Sequence, residues 1–206
     1  MTGLEFIGWA VPQLIAEGFS VDIRTSKTVQ AGYAGWFDHE KKEFKAAGMK
    51  PIGCSEIFLH EFCHFLQWRD SNDFWTDCIE EGCSPFFSWL AGDNRYSENI
   101  DQARQKTVLL EMDCDKRALR LNKKFELGID PKKYTQASNA YLYSYLVTQK
   151  LRKWPKSNKY SVYRQEVSEV YPTKFLPPDE YDKISNIPVD IHPLLAKSYR
   201  LKKLVL

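Results

Sequence analysis

The segment Ile57–Trp68 constrains this chain more than any other. Ile57, Phe58, Leu59, Phe62, Phe65, Leu66 and Trp68 place apolar side chains on several faces of one helix. A helix coated in this way must be buried. Into that coat the sequence sets His60, Glu61 and His64, an H-E-x-x-H run. Residues four apart stand one turn apart on a helix face. Two imidazoles so placed can grip one cation, and a carboxylate between them can activate water on it. The plainer reading makes them satisfied core histidines with Glu61 at the helix surface. Against it, the chain has only four histidines (39, 60, 64 and 192), and two fall in this run.

A catalytic zinc site takes three protein ligands, so a third donor is required. Further along, Glu111, Cys114, Ala118, Leu121 and Phe125 share one helical face. That face is apolar except at Glu111, and a carboxylate in an apolar stripe is costly unless paired or coordinated. Asp115, one turn after Glu111, could accept from the outer nitrogen of His60 or His64, which would fix the tautomer. Alternatively Glu111 bonds Arg104, Lys116 or a tyrosine at a helix edge. Asp70, six residues after His64, is a rival ligand. That spacing resembles the metzincin zinc peptidases, which need a glycine at the position of Gln67 so that the chain can leave the helix and turn back, and Gln67 lacks that freedom.

His60-Glu61-x-x-His64 followed by Glu111-x-x-x-Asp115 resembles the gluzincin arrangement of zinc metallopeptidases. Glu111-Met112-Asp113-Cys114-Asp115 is similar to the E-x-E-A-D-type third-ligand helix of that family. The resemblance covers roughly residues 19–127, and in scale the chain is similar to small phage or bacterial zincin-like proteins. It implies Zn2+ held by His60, His64 and Glu111, with Glu61 as general base and a peptide or protein as substrate. Asp115 would support a histidine ligand. Tyr141 and Tyr145 are candidate donors to the negative charge that develops in the transition state, with core packing as their other role. A zincin-like scaffold that binds or regulates without cleaving is the alternative.

The same order appears in the element pattern. Residues 5–17 read as a helix, Phe19–Arg24 alternates as a half-buried strand, and Gly32–Phe37 and Glu43–Ala47 read as two more. Gly48 and Pro51 break the pattern before the motif helix, which starts near Ser55. The strand at 42–47 is expected to form an exposed edge that pairs with an extended substrate. Residues 69–99 read as a long irregular loop, followed by helices at Ile100–Leu127 and Ser138–Trp154 and a short basic helix in the tail Ile191–Leu206. The expected fold is α+β and zincin-like: a small N-terminal antiparallel or mixed sheet against the H-E-x-x-H helix, then a mainly helical part. A metallopeptidase domain at 1–155 would carry a basic extension at 156–206.

Charge divides unevenly along the chain. Residues 1–115 carry ten Lys/Arg against nineteen Asp/Glu, and residues 116–206 carry nineteen against eight. The basic half, with Tyr143, Trp154, Tyr160 and Tyr163 among its cations, makes nucleic acid a candidate partner. Contact with the acidic half or simple solubility is the plainer account. Five cysteines (54, 63, 78, 83 and 114) cannot all pair, which favours reduced thiols and a cytoplasmic setting, the host cytoplasm if phage-encoded. No apolar run is long enough to span a membrane, and the N-terminus lacks a signal-peptide pattern.

Overall fold

The computed structural model describes residues 3–29, 33–49, 55–155, 161–162 and 164–203. Cys54, Tyr160, Tyr163 and the start of the second expected strand at Gly32 lie outside the described residues. The chain is α+β, with a three-stranded mixed sheet and a large helical majority. Its residues group into two compact units, 1–75 with 113–129 and 76–112 with 130–206.

In the first unit, α1 (Gly3–Ala16) leads into β1 (Ser20–Ile23), β2 (Gly35–Asp38) and β3 (Glu43–Ala46). The sheet order is β1-β3-β2. β1 runs parallel to β3 with Val21 opposite Phe44, and β2 runs antiparallel with Phe37 opposite Phe44. The β2–β3 turn is held by Asp38, whose Oδ1 accepts from the backbone N–H groups of Glu40 and Lys41. Lys42 completes it in the left-handed region at φ 53°. The strand expected as an exposed edge is therefore the central one. The cause lies in β1, which returns to pair with β3 rather than with its sequence neighbour and leaves β2 at the margin.

α2 (Glu56–Asp70) follows. Ser55 caps it by accepting from the N–H groups of Ile57 and Phe58, and donates to the carbonyl of Ala47, which ties the helix start to the end of β3. Phe44 and Ala46 of β3 are fully buried, as are Phe58, Phe62 and Phe65 of α2 and Phe6 of α1. Phe6 meets Phe58 and Phe62 edge-on, and Phe44 meets Phe58. Offset and edge-on contacts of this kind add to the hydrophobic gain from burying the rings. The second half of α5 (Ile100–Phe125) completes the unit, with Phe125 against Phe6 and Trp9.

The second unit corrects the expected loop at 69–99. That stretch is helical: α3 (Asn72–Cys78) runs into a π-helical turn (Ile79–Cys83), α4 (Ser84–Leu90) and a 3₁₀ turn (Asn94–Asn99). The π turn inserts residues that break the 3.6 period, so the apolar positions on either side fall out of phase. Gly82 sits where a Cβ would lie 2.8 Å from Cβ of Lys106, which explains why a glycine occupies the turn. α6 (Pro131–Leu151) begins well before the expected Ser138, because Asp130 caps it and Pro131 opens it. Its buried Tyr143 and Tyr145 join Tyr181, Tyr199 and Phe86 in the core. Short α7 (Gln165–Ser168) and α8 (His192–Ser198) follow.

Among the described residues, Cys63, Cys78, Cys83 and Cys114 form no disulfide. No described helix is long and apolar enough to cross a membrane.

Candidate metal centre

α2 places His60 and His64 one turn apart, and their rings meet at right angles with centroids 4.7 Å apart. Nε2 of His60 lies 3.2 Å from Nε2 of His64. The other nitrogen of each ring is held. Nδ1 of His60 stands 2.9 Å from Asp115 Oδ1, and Nδ1 of His64 stands 2.8 Å from Gln67 Oε1.

These partners determine where the ring protons sit. An ionised carboxylate only accepts, so Asp115 requires the His60 proton on Nδ1. Gln67 gives its amide N–H to Asp113 Oδ2 at 2.9 Å, so its oxygen faces His64 and requires that ring's proton on Nδ1 as well. Neutral imidazoles in these tautomers present two Nε2 lone pairs to each other. Lone pairs at that distance repel unless a cation or a shared proton lies between them. Two imidazole ligands of a tetrahedral zinc, at bonds of about 2.0–2.1 Å, stand about 3.3 Å apart. The observed separation fits such a donor pair.

Glu61 is half-buried and points toward β2. A Cβ on Gly35 would fall 2.2 Å from Glu61 Oε1, so the carboxylate is packed against the bare backbone of the edge strand. Trp75 closes another side, with its ring 6.0 Å from His64 and 5.5 Å from His39.

Cys114 is a further possible donor. One ligand atom from each of His60, His64 and Cys114 can be chosen so that all three lie within 4.8 Å of one another. Its Sγ donates to the His60 carbonyl at 3.2 Å and lies 3.7 Å from His60 Nδ1. That nitrogen is the one directed at Asp115. A cation using Cys114 and Nδ1 would have to displace the carboxylate, whereas a cation between the two Nε2 atoms leaves it in place.

Glu111 lies on α5 one turn before Asp115 and belongs to the second unit. Its Oε1 accepts from Tyr145 Oη at 3.3 Å, and Tyr145 Oη is 2.7 Å from Tyr141 Oη. Burial, reinforced by the negative charge of Glu111, pushes the Tyr145 phenol well above its usual range and keeps it neutral. The same two causes push the Cys83 thiol up to about 12. Asp70 ends α2 in an ion pair with Arg69, at an exposed position.

Gln67, Asp113 and Gly35 are participants that the motif does not name. A polar residue three positions after His64 on a buried helix was the available signal for Gln67, and Asp113–Arg117 is a visible i,i+4 ion pair. No protein-family model, curated protein or solved structure matches the chain.

Proposed function

We propose that the protein is a zinc-dependent metallopeptidase of zincin-like type. The observation that carries this reading is the pair of Nε2 atoms 3.2 Å apart, with both Nδ1 atoms committed to oxygen partners. His60 and His64 would hold the metal, and Glu111 would be the third ligand suggested by its place in the sequence pattern of α5. Zinc, when bound, supplies Lewis acidity that acidifies water and polarises a carbonyl. Glu61 takes the proton from the attacking water and delivers it to the leaving amine. Asp115 holds the His60 ring in the tautomer that leaves Nε2 to ligate and would raise its basicity as a ligand.

β2 is the edge strand against which Glu61 packs, so an extended peptide would pair there. Tyr145 is fully buried and directed at Glu111, which suits it to orienting that carboxylate. Tyr141, half-buried and hydrogen-bonded to Tyr145, is retained as the candidate donor to a substrate oxygen. A peptide-library digest tests the reading. Cleavage by the zinc-loaded protein, absent in Glu61→Gln with zinc still bound, is the expected result. Cleavage that survives Glu61→Gln refutes the assignment of the base.

A second reading, a zincin-like binding or regulatory protein that associates with nucleic acid, draws on one surface of the second unit. Lys153 Nζ donates to the Tyr199 carbonyl and so brings 150–155 beside 197–203, two segments without a carboxylate. Lys150, Arg200, Lys202 and Lys203 are exposed there, as is the Trp154 ring. Such a face suits single strands. Oligonucleotide binding that weakens steeply with salt supports this reading, and its absence at low salt removes it.

A further inference from the structure

We propose that Gln67 is a positioning residue that fixes the tautomer of His64, and that the Asp113–Arg117 ion pair sets the direction of its amide. The inference rests on the zinc reading for its functional meaning but is tested independently of it.

The network runs in one direction. Arg117 Nε donates to Asp113 Oδ2 at 2.6 Å, and its Nη2 donates to Ser71 Oγ at 3.0 Å. Arg120 stands 4.0 Å from the other Asp113 oxygen. The charge on Asp113 is therefore supported from the side of α5. Gln67 is fully buried and its Nε2 donates to the same Asp113 oxygen at 2.9 Å. Reversing the amide would set its oxygen against a carboxylate oxygen. That contact would be repulsive, and a partly buried carboxylate oxygen that loses a donor is costly. The amide therefore has one orientation, and Oε1 must accept from His64 Nδ1.

The two rings are thus prepared by different devices. His60 is oriented in one step by Asp115, while His64 is oriented in two, through an amide. The amide presents an oxygen to His64 without placing a second carboxylate beside the first. With Nδ1 protonated, His64 offers its Nε2 lone pair for ligation without a tautomeric change. Loss of such an outer partner typically lowers metal affinity about 10–100-fold.

The test uses the full chain labelled with ¹⁵N-histidine. Long-range ¹H–¹⁵N correlation on the metal-free protein reads the tautomer of each ring, and chelator competition reads zinc affinity. In the unaltered protein both His60 and His64 should show a protonated Nδ1. Gln67→Met should abolish that signature at His64 alone and lower zinc affinity about 10–100-fold. His60, held by Asp115, is the internal control, since general loosening of the fold would move both rings. Asp113→Asn should loosen the amide and give the same defect. Gln67→Glu with Asp113→Asn restores an acceptor at Nδ1 facing a donor at 113, and should return the His64 signature. The proposal is overturned if Gln67→Met leaves the His64 signature unchanged, or if the double variant fails to restore it. A protein that shows these tautomer changes but binds no zinc would retain the positioning role and lose the metallopeptidase reading.

Discussion

Gly35→Ala separates catalysis from folding and from metal binding. Gly35 lies in β2 in a conformation open to any L-residue, so the substitution does not strain the backbone. By reducing the freedom of the unfolded chain, alanine at such a position stabilises by about 0.4–1 kcal/mol. The new Cβ, however, would sit 2.2 Å from Glu61 Oε1 and 2.7 Å from both Cδ and Cγ. Because Cγ is also too close, rotation of the terminal carboxylate alone cannot relieve the clash. Oε1 must retreat by about 1.2 Å to reach ordinary contact, and a displacement of about 1 Å in catalytic geometry is worth about 100-fold in rate. The three atoms nearest this Cβ all belong to Glu61, so the displacement falls first on the general base. Peptide turnover, zinc affinity and thermal unfolding should be measured on the same preparation. The expected pattern is turnover reduced about 100-fold and zinc affinity within about twofold, while the entropic gain and the overlap with Glu61 oppose each other and keep the shift in melting temperature to a few degrees. Full turnover in Gly35→Ala would refute the placement of the general base against the edge strand.

Asp115→Asn should weaken zinc binding about 10–100-fold in a chelator competition, because the amide no longer requires a proton on His60 Nδ1. Glu61→Gln should keep the metal and lose about 10²–10⁴-fold in turnover, read by the release of new amino termini. Cys83 gives an alkaline signature. Its folded pKa is raised from a reference of 9.0 to about 12, so above pH 9 the unfolded chain releases a proton that the folded chain retains. Stability is therefore lost as pH rises from about 9 toward 12, with a limiting slope of about 1.4 kcal/mol per pH unit for this one group. Denaturant titrations at pH 8 and 10.5 should show a smaller loss for Cys83→Ala than for the unaltered chain.

The motif helix was the most legible part of the chain. Ser55 before an apolar run announces the cap, and the coating of Ile57–Trp68 announces burial on most sides. The spacing of Glu111 and Asp115 identified the helix that supplies Asp115 to His60. Other features depend on tertiary pairing, which spacing does not encode. The order of three short strands decided that β2 rather than β3 is an edge, and nothing in Glu43–Ala46 distinguishes a central strand from a marginal one. The helical character of 72–99 was hidden by the π turn, which puts Trp75 and Cys78 out of register with Phe86 and Trp89. Asp130-Pro131, in contrast, is a cap followed by a first-turn proline, so the early start of α6 was readable. Gln67 was noticed only for lacking the freedom of glycine. Its amide acquires a role because Asp113 sits 46 positions away in sequence and 2.9 Å away in space.

On the proposed reading, the two Nε2 atoms of α2 share a zinc ion. Elemental analysis of the purified full chain, beside His60→Ala and His64→Ala, measures this directly. One zinc per chain is expected in the unaltered protein and none in either variant after exposure to a weak chelator. Zinc retained at full stoichiometry in both variants, or an unaltered protein that takes up none when zinc is supplied, would contradict it.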